Sequence, residues 1–199
     1  GVRNWKTLKT ENFEIHYCDD EIFESVREVG QWAENAYAKI GKKLGVKLTR
    51  TAPIFVYRSQ NDFQQSTVFV GGIPEGVAGV TEFFQDRIVV PLFGSEKFMQ
   101  RLIEHEFTHQ LYVQDYFPWK IPSYLLLKDS LIPDWFAEGL AEWAADAYDT
   151  DEIMLMRDAV LDDRMRHLYN LHGFGHLNPH EIQEGYQTGN FALRFIEEK

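Results

Sequence analysis

Two hydrophobic periods follow one another along this chain, and their order limits the folds open to it. The early period is two. Phe13-Glu14-Ile15-His16-Tyr17 alternates apolar and polar residues as a half-buried strand does, and Pro53-Ile54-Phe55-Val56-Tyr57 is a β-prone run suited to a central strand. Gly79–Phe84 and Arg87–Val90 read as two strands joined at Gln85-Asp86, a hairpin. One long helix is set among them, from Asp20 to Leu44, with apolar positions at spacings of three and four and Gly45 as its stop. From Ser95 onward the period is helical. Ser95 is placed to cap a helix running to Gln114 through Phe98, Leu102, Ile103, Phe107 and Leu111. A second helix is predicted from Pro133, in its first turn, to Tyr148, and a third is capped by Asp151 and runs to Arg166. Tyr169–Gly185 reads as loop, and Asn190–Lys199 as an amphipathic helix. Strands first and helices afterwards predict an α+β fold with a small mixed sheet.

The expected organisation is a single domain over residues 1–199, strand-rich to about residue 94 and helical from about 95. Because the last helix carries no capping residue, the chain is expected to be one domain of a longer protein. With 20 Lys and Arg against 31 Asp and Glu, the net charge is −11, which argues against a phosphate-backbone partner or an anionic membrane surface. No run of residues is long and apolar enough to span a bilayer. One cysteine, Cys18, can form neither an internal disulfide nor a thiolate zinc site, so any metal chemistry falls to His and carboxylates.

His105-Glu106-Phe107-Thr108-His109 supplies them. It is an H-E-x-x-H motif inside the helix that begins at Ser95. Side chains four apart leave a helix on one face, so both imidazoles can reach one metal, and the Glu between them is placed to take a proton from water on that metal. Downstream, Pro133-Asp134-Trp135-Phe136-Ala137-Glu138-Gly139-Leu140-Ala141-Glu142-Trp143 offers Glu138 and Glu142 one turn apart among aromatic residues. A carboxylate in such company needs a partner, and a zinc ion would be one. The alternative is that both glutamates lie on a solvated face while the aromatic side chains pack inward.

H-E-x-x-H followed by W-F-A-E-G-L-A-E-W resembles the gluzincin metallopeptidases, which include thermolysin and the zinc aminopeptidases, and more narrowly the bacterial peptidase MA-like domains. The resemblance implies a zincin-like fold and one Zn2+ held by His105, His109 and Glu138. It implies Glu106 as general base, and Glu142, one turn after the ligand, as the carboxylate that orients the first imidazole. The segment Tyr186-Gln187-Thr188-Gly189-Asn190-Phe191-Ala192-Leu193 is similar to the Y-x-x-G-x-x-(apolar) helix start of the aminopeptidases, whose Tyr hydrogen-bonds the oxyanion; Tyr186 takes that position. In gluzincins the strand before the motif helix is an edge that pairs with substrate backbone, which matches the predicted hairpin. The chain lacks the G-x-M-E-N motif that grips a substrate N-terminus, and this favours an endopeptidase over an aminopeptidase. The implied substrate is a peptide or protein, and the implied setting is a larger exported bacterial protein.

Two other readings stay open on the sequence: a metal- and peptide-binding module that does not cut, and a structural domain with surface histidines. The cluster of His167, His172, His176 and His180 matches no ligand spacing and reads as loop. His16 is expected on the polar side of an edge or surface strand, and Cys18 as an inert thiol.

Overall fold

The computed structural model describes residues 4–65, 78–82, 86–116 and 132–199. Phe83, Phe84 and Gln85 of the expected hairpin lie outside these residues. The chain divides into two units, residues 1–118 and 119–199.

Among the described residues the first unit is built on a five-stranded mixed sheet: β1 (Lys6–Lys9), β2 (Phe13–Tyr17), β3 (Ala52–Tyr57), β4 (Val80–Glu82) and β5 (Arg87–Pro91), in the order β1-β2-β3-β5-β4. β2, β3 and β5 run parallel, while β1 and β4 pair antiparallel at the two edges. The expected central strand, β3, is the middle of the five. β2 is interior, between β1 and β3, so His16 does not sit on an edge as expected. It is half-buried, its Nδ1 is 2.9 Å from the Thr7 hydroxyl, and its ring lies over Phe55.

The register lines up one row of side chains across the sheet: Leu8, Ile15, Ile54, Ile88 and Thr81 face one another in turn. Ile15, Ile54 and Ile88 are fully buried, each contributing about 1.5–3 kcal/mol of transfer free energy. The helix α1 (Phe23–Leu44) covers this face through Val26, Val29, Ala33, Ala36 and Ile40. It approaches so closely at Gly30 that a Cβ there would stand 3.1 Å from Thr10 Cγ2 and 3.7 Å from Ile15. Asp19 caps the preceding 3-10 turn, and Gly45 ends α1 in the left-handed region at φ 69°. On the opposite face Tyr57, Phe63 and Val89 form a smaller core with Trp5, Phe55 and Val80. Phe63 comes from the short helix α2 (Gln60–Gln64), which Ser59 caps.

Helix α3 (Glu96–Tyr116) also belongs to this unit. Ser95 caps it as expected, accepting from the Phe98 N–H at 3.2 Å. Met99, Leu102, Ile103, Phe107 and Leu111 are buried, and the Phe107 ring meets Phe13 and Tyr37 edge-on. Phe98 departs from the expected apolar stripe: it is exposed and packs on Phe93.

Among the described residues the second unit is helical: α4 (Asp134–Ala144), α5 (Thr150–Leu161) and α6 (Pro179–Glu197), with a 3-10 turn at Leu168–Leu171. Five boundaries differ from expectation. Pro133 is the residue before α4, not part of its first turn. Helix α4 stops at Ala144, because Asp146 turns left-handed at φ 55°. The cap of α5 is Asp149, not Asp151, and it makes a reciprocal capping box with Glu152; this helix ends at Leu161, short of Arg166. Residues 179–185, expected as loop, are the first turns of α6, started by Asn178 in a second capping box and by Pro179. Asn178-Pro179-His180-Glu181 had the composition of a loop and the spacing of a helix start, and the spacing prevailed.

Helices α4 and α6 cross at a pair of glycines. A Cβ on Gly139 would lie 2.5 Å from the Gly189 carbonyl carbon, and one on Gly189 only 1.9 Å from the Trp135 carbonyl oxygen. No larger residue fits at either position.

Candidate metal centre

In the first unit, His105, Glu106 and His109 lie on α3, a helix of 21 residues fixed by the cap and core just described. His109 is buried and His105 half-buried, and their Nε2 atoms stand 3.1 Å apart with the rings edge to face. Two nitrogens about 2.05 Å from a tetrahedral zinc are separated by roughly 3.3 Å, so the pair is already close to the spacing one ion imposes. An Nε2–H donating to the other Nε2 also satisfies the pair when no ion is shared. The donor chemistry therefore fits zinc.

Glu106 points into the sheet side. It is only 6% exposed, and its Oε2 is 2.7 Å from the hydroxyl of Thr81 on β4. The same hydroxyl is 2.8 Å from the Glu106 carbonyl oxygen. Gly79 lies against the stem of this side chain; a Cβ there would sit 3.4 Å from Glu106 Cγ and 3.1 Å from Leu102.

Further along α3, Gln110 and Gln114 continue the face that carries Glu106, and both are buried. Gln110 donates to the Asp86 carbonyl at 2.9 Å, and Gln114 donates to the Asp86 carboxylate at 3.3 Å while accepting from the Thr49 N–H at 3.2 Å. Arg50 pairs with the same carboxylate. These bonds tie the C-terminal half of α3 to the start of β5. Sequence reasoning missed them, although a polar residue every fourth position on an otherwise apolar helix face (Glu106, Gln110, Gln114) was a signal for a buried polar stripe.

In the second unit, Glu138 and Glu142 lie on α4, and both are half-buried. The buried positions of this helix are Ala137, Gly139, Ala141 and Ala144, not the aromatic residues. Trp135, Phe136 and Trp143 are half-buried as well, so neither arrangement weighed from the sequence describes the helix. Small residues face α6 because the glycine crossing leaves no space for large ones. Glu142 Oε2 accepts from Gln187 Nε2 at 3.1 Å. Gln187 in turn accepts from Asn190 at 2.8 Å, and Asn190 accepts from Arg194 Nε at 3.0 Å. Thus Glu142 ends a hydrogen-bonded row along α6 that the sequence reading did not contain.

Tyr186 lies within α6, two turns after its start, not at the opening of a helix. It is half-buried and its ring stacks on Phe174 at 5.5 Å. Among the described residues, His167, His172, His176 and His180 form no group of three that could share an ion. No helix of the described residues is long and apolar enough to cross a membrane.

Compared with family models, with curated proteins and with solved structures, the chain matches none.

Proposed function

We propose that the protein is a zinc-dependent peptidase of zincin-like fold, with His105, His109 and Glu138 as ligands of one Zn2+. The observation that carries the reading is the pair of Nε2 atoms 3.1 Å apart on α3, with a buried glutamate between them in sequence. Each of His105, His109 and Glu138 offers one ligand atom, an imidazole nitrogen or a carboxylate oxygen, the donor types zinc takes. When bound, zinc supplies Lewis acidity that polarises a carbonyl and acidifies water.

The chain's own residues do the rest. Glu106 takes a proton from the attacking water and passes it to the leaving amine, so that the amide bond breaks as the acid product forms. Tyr186 donates its phenolic hydrogen to the oxygen that becomes negative during attack. Glu142 orients an imidazole ligand, and its bond from Gln187 restrains its rotamer. β4, the terminal strand among the described residues, offers its outer edge to an extended substrate backbone. An edge that reads backbone suits an endopeptidase.

The test is metal analysis of the purified protein together with cleavage of a peptide library by wild type and Glu106→Gln. One zinc per chain is expected in both, with cleavage by the variant reduced by about 10²–10⁴-fold. Absence of zinc with no stabilisation on adding it refutes the metal site. Equal cleavage by both proteins refutes Glu106 as base. Bound zinc without cleavage of any peptide would make the domain a binding module.

A further inference from the structure

We infer that Thr81 is the residue that positions the general base: its hydroxyl holds the Glu106 carboxylate in one orientation. The inference rests on the peptidase reading, but the contact lies wholly within the first unit.

The register makes Thr81 unusual. It closes a row whose other members are Leu8, Ile15, Ile54 and Ile88, on the face of the sheet covered by α1 and α3. An apolar residue is what that position calls for. A hydroxyl there, 6% exposed, would lose its solvation without a partner, and its partner is Glu106. The hydroxyl has a single proton and two acceptors in range, the Glu106 carboxylate oxygen at 2.7 Å and the Glu106 carbonyl oxygen at 2.8 Å. The carbonyl already receives the helical N–H from the next turn, whereas a carboxylate oxygen accepts more strongly than an amide carbonyl. The proton therefore goes to Oε2.

This arrangement gives the two carboxylate oxygens different tasks. Oε2 is anchored to the strand, and Oε1 is left to receive the proton of the attacking water. Gly79, two residues earlier on the same face, completes the cradle. A methyl group in its place would press on Leu102 at 3.1 Å and Val90 at 3.3 Å and would touch the Glu106 stem at 3.4 Å. A free glutamate side chain has three rotatable bonds. Fixing it before substrate arrives removes that freedom from the barrier to reaction. Because β4 is also the edge proposed to receive substrate backbone, one strand would align both the base and the bond it acts on.

Three substitutions test this in the full protein: Thr81→Val, which keeps the shape without the hydroxyl; Thr81→Ser, which keeps the hydroxyl; and Thr81→Ala, should the valine not fold. In Thr81→Val we expect kcat to fall about 10–100-fold with KM and zinc stoichiometry unchanged, and in Thr81→Ser to stay within about threefold of wild type. The second readout needs no activity. In crystals of zinc-free Thr81→Val the Glu106 carboxylate should leave its wild-type position or occupy several, and in Thr81→Ser it should not. A wild-type kcat in Thr81→Val overturns the inference, as does an unmoved carboxylate, or a serine variant as impaired as the valine. Wild-type protein that shows no Glu106-dependent cleavage refutes the peptidase reading instead, while the carboxylate's position still decides what Thr81 does.

Discussion

Glu34 illustrates how local bonding sets the behaviour of a single charge. Its Oε1 accepts from the Asn12 N–H at 2.8 Å and its Oε2 from the Asn12 side chain at 2.7 Å. Burial pushes its carboxyl upward, but the bonds from Thr10, from Asn12 and from the backbone together outweigh it, and the group is held below its ordinary value of 4.5. The folded state thus binds this proton less readily than the unfolded chain. Its contribution to stability is complete above about pH 4.5 and is lost as pH falls through the lower folded value. Replacing Glu34 by Gln should flatten that acid limb in urea unfolding curves measured between pH 3 and 6, with the largest difference from wild type near neutrality. A limb of unchanged slope would assign acid sensitivity to other carboxylates. Glu106, His105 and His109 belong to the same scale: the sequence made them legible and put the two imidazoles on one helix face, but it did not single out Thr81. H-E-x-x-H named three residues at once. Nothing in the spacing from Thr81 to Glu106 announced that a strand hydroxyl would meet the base, because that contact depends on strand register and helix placement together.

At the level of elements, helices and strands followed local chemistry closely. β2, β3, the antiparallel pair of β4 and β5, α1 and α3 lie where hydrophobic period and caps put them, although α1 starts at Phe23 after a 3-10 turn and α3 runs on to Tyr116. The misses were boundaries, one misread segment and β1, a strand the sequence reading did not contain. The start of α6 looked like loop because His, Pro and Gly are frequent around it, yet Asn178 and Glu181 carried a capping-box signature. The crossing of α4 and α6 makes a sharper demand than any propensity. Gly189→Ala puts a methyl group against the Trp135 carbonyl, where only backbone movement can relieve the overlap. We expect a loss of about 3 kcal/mol or more in urea unfolding. Gly173→Ala, with nothing within 4 Å of the added carbon, is the control and should change stability by less than about 0.5 kcal/mol. Equal effects from the two would mean that α4 and α6 do not cross at these glycines.

For the whole molecule, ligand linkage gives the decisive measurement. If His105, His109 and Glu138 bind zinc only in the folded chain, free zinc at a hundred times its Kd should add about 2.7 kcal/mol of stability, visible as a raised Tm. Glu138→Ala should lose most of that increment, and Glu106→Gln should keep it. A full increment in the Glu138 variant would move the third ligand to Glu142. The sequence by itself determined the α+β class, the helix that carries the motif, and which donor types are present, because hydrophobic period, caps and residue identity are local properties. Tertiary structure decided the rest. It set Thr81 at the end of an isoleucine row against Glu106 and gave Glu142 to Gln187. Those outcomes depend on register and on how closely helices approach, and both arise from packing residues far apart in the chain.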